Sequence, residues 1–117
     1  MITRRHFSPE YVEVAARVLG ILSHDTRLHL VLLLAQGEAT VSELCEHLGL
    51  AQSNVSHHLR ILRDAALVTD RREGQFVVYG INVALWGSVA NGFFDHLAGG
   101  EDVVRLRGFE LRRPASE

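Results

Sequence analysis

The sequence predicts a mainly α-helical domain that carries one β-hairpin, with its elements in the order α-α-α-α-β-β-α. A short helical pattern, VSELCEHLGL, closes at Gly49, and a longer helical pattern opens near Ser53. Two runs of β-forming residues follow, joined by a turn at Arg72-Glu73-Gly74. A short helix, a turn, a longer helix and a hairpin are the parts of a winged helix-turn-helix, so we expect this fold.

Length and composition favour one domain followed by a tail. The chain has 117 residues, of which 47% are hydrophobic, which is enough for a single core. We expect a winged helix-turn-helix domain with N- and C-terminal dimerisation helices over residues 1–98. Residues 99–117 are charged and show no clear pattern, which predicts a C-terminal tail that is partly disordered.

No stretch of the sequence suits a membrane or an export signal. The longest apolar run, near Leu30 to Ala35, is far shorter than the roughly 20 residues of a membrane span. The charged N-terminus is not followed directly by a long apolar segment, so we predict no signal peptide and a cytoplasmic protein. A lone cysteine, Cys45, cannot form an intramolecular disulfide.

Two helices precede the central region. Ser8-Pro9-Glu10 is a helix start, because Ser caps a helix, Pro suits its first position and Glu favours the positive end of its dipole. This first helix should end near Ser23. Asp25 is the predicted N-cap of the second helix, and Gly37 is its predicted stop. The predicted apolar stripe of the second helix is Leu28, Val31, Leu32 and Ala35.

The third helix should start at Ser42 and Glu43 and bury Val41, Leu44 and Leu48.

In the fourth helix an apolar stripe recurs at i, i+4 and i+7 and must face the core. Its residues are Val55, Leu59 and Leu62. The opposite face is small, polar and rich in hydrogen-bonding groups, which suits the floor of a DNA major groove. The predicted DNA contacts on this helix are Gln52, Ser53, Asn54, Ser56, His57 and Arg60.

The hairpin is the predicted wing, with strands over Leu67 to Arg71 and Gln75 to Ile81. Arg71 and Arg72 lie near its tip, where a wing would meet phosphates or the minor groove. The formal net charge of −2 counts against DNA binding in the simplest accounting. However, all 12 basic residues are Arg, whose planar fork suits phosphate and guanine. We therefore predict double-stranded DNA as the partner, with modest non-specific affinity.

The last helix, roughly Val83 to Leu97, has a very wide apolar face. It contains the only Trp and a Phe pair, Phe93-Phe94. A small domain cannot easily bury so much apolar surface by itself, which argues for a second subunit.

Four stretches together resemble the ArsR/SmtB family of metal-responsive bacterial transcription regulators. They are LSHDTRLHLVLLL (22–34), VSELCEHLGL (41–50), QSNVSHHLRILRDAALV (52–68) and RREGQFVVYGI (71–81). The resemblance implies a homodimer, joined through its first and last helices, that binds an inverted-repeat operator under the control of an effector. The predicted interface residues are Tyr11, Val14, Val18, Trp86, Val89 and Phe93.

The resemblance also implies a metal site in the last helix. Asp95-His96 is similar to the second half of the family's site, but Asn82 to Leu85 stands where the first half, Asp-x-His, belongs. The remaining ligands would come from the partner's N-terminal region. We predict a site for Ni, Co or Zn, which suit nitrogen and oxygen ligands, at His6, Glu10, Asp95 and His96. The alternative is that Asp95 and His96 are solvated residues of a dimer helix.

A secondary metal candidate is Cys45 with His47 in the third helix. Some family members carry Cys-x-Cys at this place, and here His47 replaces one thiolate, which disfavours soft metals such as arsenite. Residues two apart in a helix point to nearly opposite sides, so the alternative for Cys45 is a small core residue. His57 and His58 belong to the recognition-helix motif, either as DNA contacts or as packing residues.

Two further hypotheses compete with that of a metal-controlled regulator. The chain could bind DNA and respond to a non-metal ligand or a partner protein. An enzyme is disfavoured, because Cys45 and His47 diverge and no nucleophile motif or phosphate loop is present.

Overall fold

The computed structural model describes residues 7–96 and 102–112. Within them the chain forms five helices and five short strands, in the order that follows. The elements are α1 (Pro9–Leu22), α2 (Asp25–Leu34), β1 (Ala39–Thr40), α3 (Val41–Leu48), α4 (Gln52–Asp64), β2 (Val68–Glu73), β3 (Phe76–Ile81), α5 (Val83–His96), β4 (Val103–Leu106) and β5 (Phe109–Arg112). The predicted mainly helical winged helix-turn-helix is confirmed.

The core lies where α1, α2, α3 and α4 meet the base of the hairpin. Its members are aliphatic and nearly inaccessible to solvent. They are Val18, Leu30, Val31, Leu34, Leu44, Val55, Leu59, Leu62, Leu67 and Val68. The predicted stripe of α4 is confirmed, because Val55, Leu59 and Leu62 are all 0% exposed. The core therefore fixes the rotation of α4 and turns its polar face outward.

The predicted stripe of α2 is wrong in part. Leu30, Val31 and Leu34 are buried, whereas Leu28 and Leu32 are exposed, as is Ala35. Apolar residues lie on several sides of α2, so their spacing does not single out one face for burial. Packing against α4 decides which face is buried.

Two helix starts also differ from the prediction by one or two residues. The N-cap of α2 is His24, whose Nδ1 accepts a hydrogen bond from Thr26 N at 3.2 Å, and Asp25 is the first helical residue. In α3 the cap is Thr40, which forms a reciprocal capping box with Glu43. Thr40-Val41-Ser42-Glu43 fits the capping-box pattern, which the sequence shows, whereas nothing in the local sequence favours His24 over Asp25 as the cap of α2.

The sheet has one strand more than predicted. Its order is β1-β3-β2, because the two-residue strand β1 pairs antiparallel with β3. The wing itself is longer at its tip than predicted, since Glu73 still pairs with Phe76 and the loop is Gly74-Gln75. Gly74 takes φ 63°, which a two-residue hairpin loop requires at this position.

The predicted tail is partly ordered. Residues 103–112 form a second hairpin, in which β4 and β5 pair from Val103 opposite Arg112 to Leu106 opposite Phe109. Gly108 takes φ 93° in its turn. The predicted boundary between residues 98 and 99 stays a prediction. No helix within the described residues is long and apolar enough to cross a membrane.

Candidate nucleic-acid interface

The helix-turn-helix consists of α3 and α4, joined by Gly49 to Ala51. Gly49 ends α3 with φ 66°, in the left-handed region. Ala51 precedes α4 and offers no side-chain cap, and its carbonyl oxygen accepts from Asn54 N and Val55 N, both at 3.1 Å. The side chains of Gln52, Ser53, Asn54, His57 and Arg60 are exposed, and that of Ser56 is half-buried. All six predicted α4 contacts are thus at least partly accessible to solvent.

The cations around this face differ in how they are paired. Arg63 bonds to Asp70 at 3.3 Å and lies 3.8 Å from Asp64. Neither Arg60 nor Arg72 forms an ion pair with any residue in 7–96 or 102–112. Both are exposed, so Arg60 on the helix and Arg72 on the wing are the cations most available to a phosphate or a guanine.

Arg71 is held by two carboxylates. It donates to Glu38, just before β1, and to Glu73 at 2.9 Å. The hydrogen bonds to Glu73 and Glu38 raise the pKa of Arg71 above its ordinary value. Adjacent residues of a strand point to opposite faces, so Arg71 and Arg72 lie on opposite faces of the wing. No local feature of the sequence marks Glu38 as a partner of Arg71, because the two residues are 33 positions apart.

His57 and His58 are neighbours on the recognition helix but differ in burial. His57 is exposed on the polar face, whereas His58 is 7% exposed and its Nδ1 has no hydrogen-bond partner within the described residues. The His58 ring lies 4.5 Å from that of His24 and 5.2 Å from that of His57, between ring centroids. Burial, and then the nearby His24, His57 and Arg27, lower the pKa of His58. His58 is therefore a packing residue that is best kept neutral.

The end of α4 is bonded to the start of α5. Asn82 Nδ2 donates to Ala66 O, and Trp86 Nε1 donates to Leu67 O, both at 2.8 Å. Asn82 Oδ1 also accepts from Leu85 N at 3.3 Å and so caps α5. These bonds connect the segment just after the recognition helix to the predicted dimerisation helix.

The predicted interface residues are not equivalent within one chain. Val14 is 44% exposed, and Tyr11 is half-buried. Val18 is only 5% exposed, so a partner is not needed to bury it. Trp86 and Val89 are half-buried and pack against the core, and the Phe93 side chain lies outside the described residues.

Three of the four predicted metal ligands have side chains outside the part of the chain that the structure describes. His6 and the side chains of Asp95 and His96 lie outside the described residues, and Glu10 is exposed in the first turn of α1. Cys45 packs against the core, whereas His47 is exposed beside Glu43 and Glu46. No group of three or more His, Cys, Asp or Glu in the described part of the chain is arranged to hold a metal ion.

Comparison with known proteins identifies the family. A family model described as bacterial regulatory protein, arsR family, matches residues 24–70. Transcriptional repressor SdpR of Bacillus subtilis (strain 168) is 31% identical over 85 residues, which cover 73% of this chain and 94% of that protein. The chain belongs to the ArsR family. This family assignment confirms the predicted resemblance and the class of function, regulation of transcription through DNA binding.

Other relatives of this ArsR-family chain are also named as repressors. The arsenical resistance operon repressor of Escherichia coli (strain K12) is 43% identical over 67 residues, which cover 56% of this chain and 57% of that protein. The solved structure of the transcriptional repressor BigR from Xylella fastidiosa has a TM-score of 0.62 and 31% identity, and covers 74% of this chain and 88% of that one. These relatives are regulators rather than enzymes.

Proposed function

We propose that this ArsR-family chain acts as a cytoplasmic homodimer that binds an inverted-repeat operator through α4 and the wing. The observation that carries the proposal is the accessible polar face of α4, with Arg60 at one side and Arg72 on the neighbouring hairpin, neither of which forms an ion pair within the described residues. The α4 face would read base edges in the major groove, and the wing arginines would meet the DNA backbone. The exposed apolar side of α1 supports a dimer.

The test is selection of bound sequences from a pool of random DNA duplexes by the full chain. We expect an enriched inverted repeat whose half-sites are about 34–36 Å apart, or a multiple of one DNA turn. Footprinting should then protect both half-sites. Enrichment of no sequence, or of a single unrepeated half-site, would contradict the proposal.

We further propose that a divalent metal of the Ni, Co or Zn type controls DNA affinity. The donor chemistry supports this choice over a soft metal, because the chain has one thiol, Cys45, and that thiol packs against the core. His6, Glu10, Asp95 and His96 are the residues that would hold the ion. A bound metal would supply a fixed link between its ligands, which can favour one dimer geometry over another.

Calorimetry with Ni, Co and Zn on the wild type, His96→Ala and Cys45→Ala tests the metal and its location. Binding that is lost with His96→Ala and kept with Cys45→Ala supports the site in the last helix. The reverse result would move the site to α3 and His47. No binding of any of the three metals would remove the metal from the proposal.

A second candidate signal is a small organic ligand, and a cavity favours it. An open cavity of about 330 Å³ lies between α1, the end of α4 and the start of α5. Its walls are mainly apolar, from Val14, Val18, Ile21 and Leu85, with Arg17 and Asp64 beside them. A ligand there would touch both the recognition helix and the dimerisation helices. Because Trp86 bonds to Leu67 nearby, its fluorescence should respond to such a ligand and stay unchanged with metals.

A further inference from the structure

Glu38 crosses the sheet to reach the wing. It lies directly before β1, at one edge of the order β1-β3-β2, whereas Arg71 lies on β2 at the other edge. The two residues are 33 positions apart in the sequence, and the Glu38 carboxylate accepts from Arg71 Nη1 across the central strand. The side chain of Glu38 therefore spans β3 to form this ion pair.

Gly80 on β3 leaves room for that crossing. A Cβ built on Gly80 would lie 3.3 Å from Glu38 Cγ and 3.4 Å from Glu38 Oε2. The next contact, Thr69 Oγ1, would be 3.6 Å away. The φ of Gly80 is not in the left-handed region, so its backbone does not require glycine. What the missing Cβ provides at this position is room for the Glu38 side chain.

The pairing changes the charge that the wing offers to DNA. Arg71 is shared by Glu38 and Glu73, so this cluster carries a net negative charge. A guanidinium has five N–H donors, so a phosphate that binds Arg71 must share it with, or displace, carboxylates that have the same sign and accept the same kind of hydrogen bond. Arg71 and Glu38 have side chains that are 51% and 54% exposed, so DNA can reach both.

We propose that Glu38 is an affinity-setting residue that competes with DNA phosphate for Arg71. Glu73 sits two positions along the same strand and moves with Arg71, but Glu38 is anchored on the opposite edge of the sheet. Glu38 therefore restrains the Arg71 side chain toward the sheet and lowers the affinity of the wing for any duplex. The inference rests on the proposed contact between Arg71 and DNA.

The test compares operator binding by the full-chain wild type and Glu38→Gln over a series of salt concentrations. The expected result is tighter binding by Glu38→Gln, by about two- to five-fold, as suits release of an exposed ion pair. The dependence on salt should also become steeper, because one more phosphate contact releases one more counterion. Glu13→Gln on α1 removes the same charge from an exposed site far along the chain, and should produce neither change.

Two further variants make the test specific. In an Arg71→Ala background, Glu38→Gln should have no effect on affinity or on the salt dependence. Gly80→Ala should shift the Glu38 side chain by a few tenths of an ångström, so it should raise affinity less than Glu38→Gln does and should have no effect in the Arg71→Ala background. Circular dichroism confirms that each variant is folded.

The outcomes separate this inference from the proposed function. Weaker binding by Glu38→Gln, or a gain that persists without Arg71, would overturn the role of Glu38. An equal gain from Glu13→Gln would also overturn it, since net charge alone would then explain the effect. If the wild type selects no DNA sequence at all, the proposed function itself fails, whatever Glu38 does.

Discussion

At the scale of single residues, burial separates the predicted DNA contacts of α4 from the residues that pack in the core. Even neighbours differ, since His57 is exposed while His58 is buried against His24. The hydrophobic period predicts the buried stripe well, because it depends only on helix geometry. It does not predict which cations are paired. Arg63 and Arg71 are held by carboxylates from other elements, and Arg60 is not.

Arg60→Ala should weaken operator binding by about 1–3 kcal/mol if Arg60 reads a guanine. The loss should be concentrated at one base pair, so that the variant accepts substitutions there. Fluorescence anisotropy on the selected operator and its single-base variants measures both effects. Arg63→Ala is the matched control on the same helix, because Arg63 is already paired with Asp70 and should contribute less. Unchanged affinity in Arg60→Ala would contradict a contact.

His58 should make the fold less stable in mild acid. The pKa of His58 is lowered in the folded chain from its ordinary value of 6.5, so the unfolded chain binds the proton more readily. The free energy of unfolding should therefore fall as the pH drops below about 6.5, and level off once the pH passes below the folded pKa. His58→Leu keeps a side chain of similar bulk and cannot titrate. Urea unfolding at pH 7.5 and pH 5.5 should show a smaller drop for the variant than for the wild type, and an equal drop would contradict the assignment.

At the scale of elements, the sequence predicts helix ends and turns that depend on nearby residues. It does not predict a strand or a hydrogen bond that depends on residues distant in the chain. Gly49 and Gly74 end or turn their elements as expected, because a positive φ favours glycine. The strand β1 was missed, since two residues carry no period and its existence depends on pairing with β3. The bonds of Asn82 and Trp86 to the end of α4 were missed for the same reason.

The end of α4 contains a strained residue that a substitution should relieve. Ala66 takes φ 62° and donates to Arg63 O at 2.9 Å, and Leu67 N donates to Leu62 O at 2.9 Å. This is a Schellman motif, in which the left-handed position is usually Gly. A non-glycine residue there costs on the order of 1–2 kcal/mol, against about 0.5–1 kcal/mol for the added chain entropy of Gly.

Ala66→Gly should therefore raise the free energy of unfolding by about 0.5–1 kcal/mol, the difference between those two terms. Ala65→Gly is the matched control one position earlier, where φ is −87° and Ala is unstrained. It should lower stability by roughly 0.5–1 kcal/mol. Thermal unfolding of both variants tests the pair, and the same sign of change in both would refute the strain argument.

At the scale of the whole molecule, the positions of charged and exposed apolar side chains bear on binding more than the net charge or the apolar content does. The net charge of −2 coexists with Arg60 and Arg72 beside the polar face of α4, and neither has an ion-pair partner in the described part of the chain. The wide apolar face predicted for α5 is partly used within the chain, because Leu85, Trp86 and Val89 pack against the core. Among the side chains that the structure describes, most of the large apolar ones left exposed are instead on α1 and α2. They are Val12, Val14, Leu19, Leu28 and Leu32. Sequence spacing could not distinguish the surface that a partner covers from the surface that the chain covers itself.

This distinction allows a test of the dimer with three matched substitutions. Val14 and Leu28 have similar exposure, 44% and 42%, but only Val14 belongs to the predicted interface. Val14→Asp should give a folded monomer, because a carboxylate cannot be desolvated in an apolar interface without a partner charge. Leu28→Asp should stay a dimer.

Val18→Asp should unfold instead, since Val18 is buried at 5% exposure within a single chain and a buried carboxylate costs several kcal/mol of the roughly 5–15 kcal/mol that holds a domain. Analytical ultracentrifugation gives the oligomeric state, and circular dichroism gives the folded fraction. The Val14→Asp monomer should bind a half-site and lose the extra affinity of the inverted repeat, because its two recognition helices are no longer linked. A dimeric Val14→Asp beside a monomeric Leu28→Asp would move the interface from α1 to α2, and with it the expected spacing of the two recognition helices.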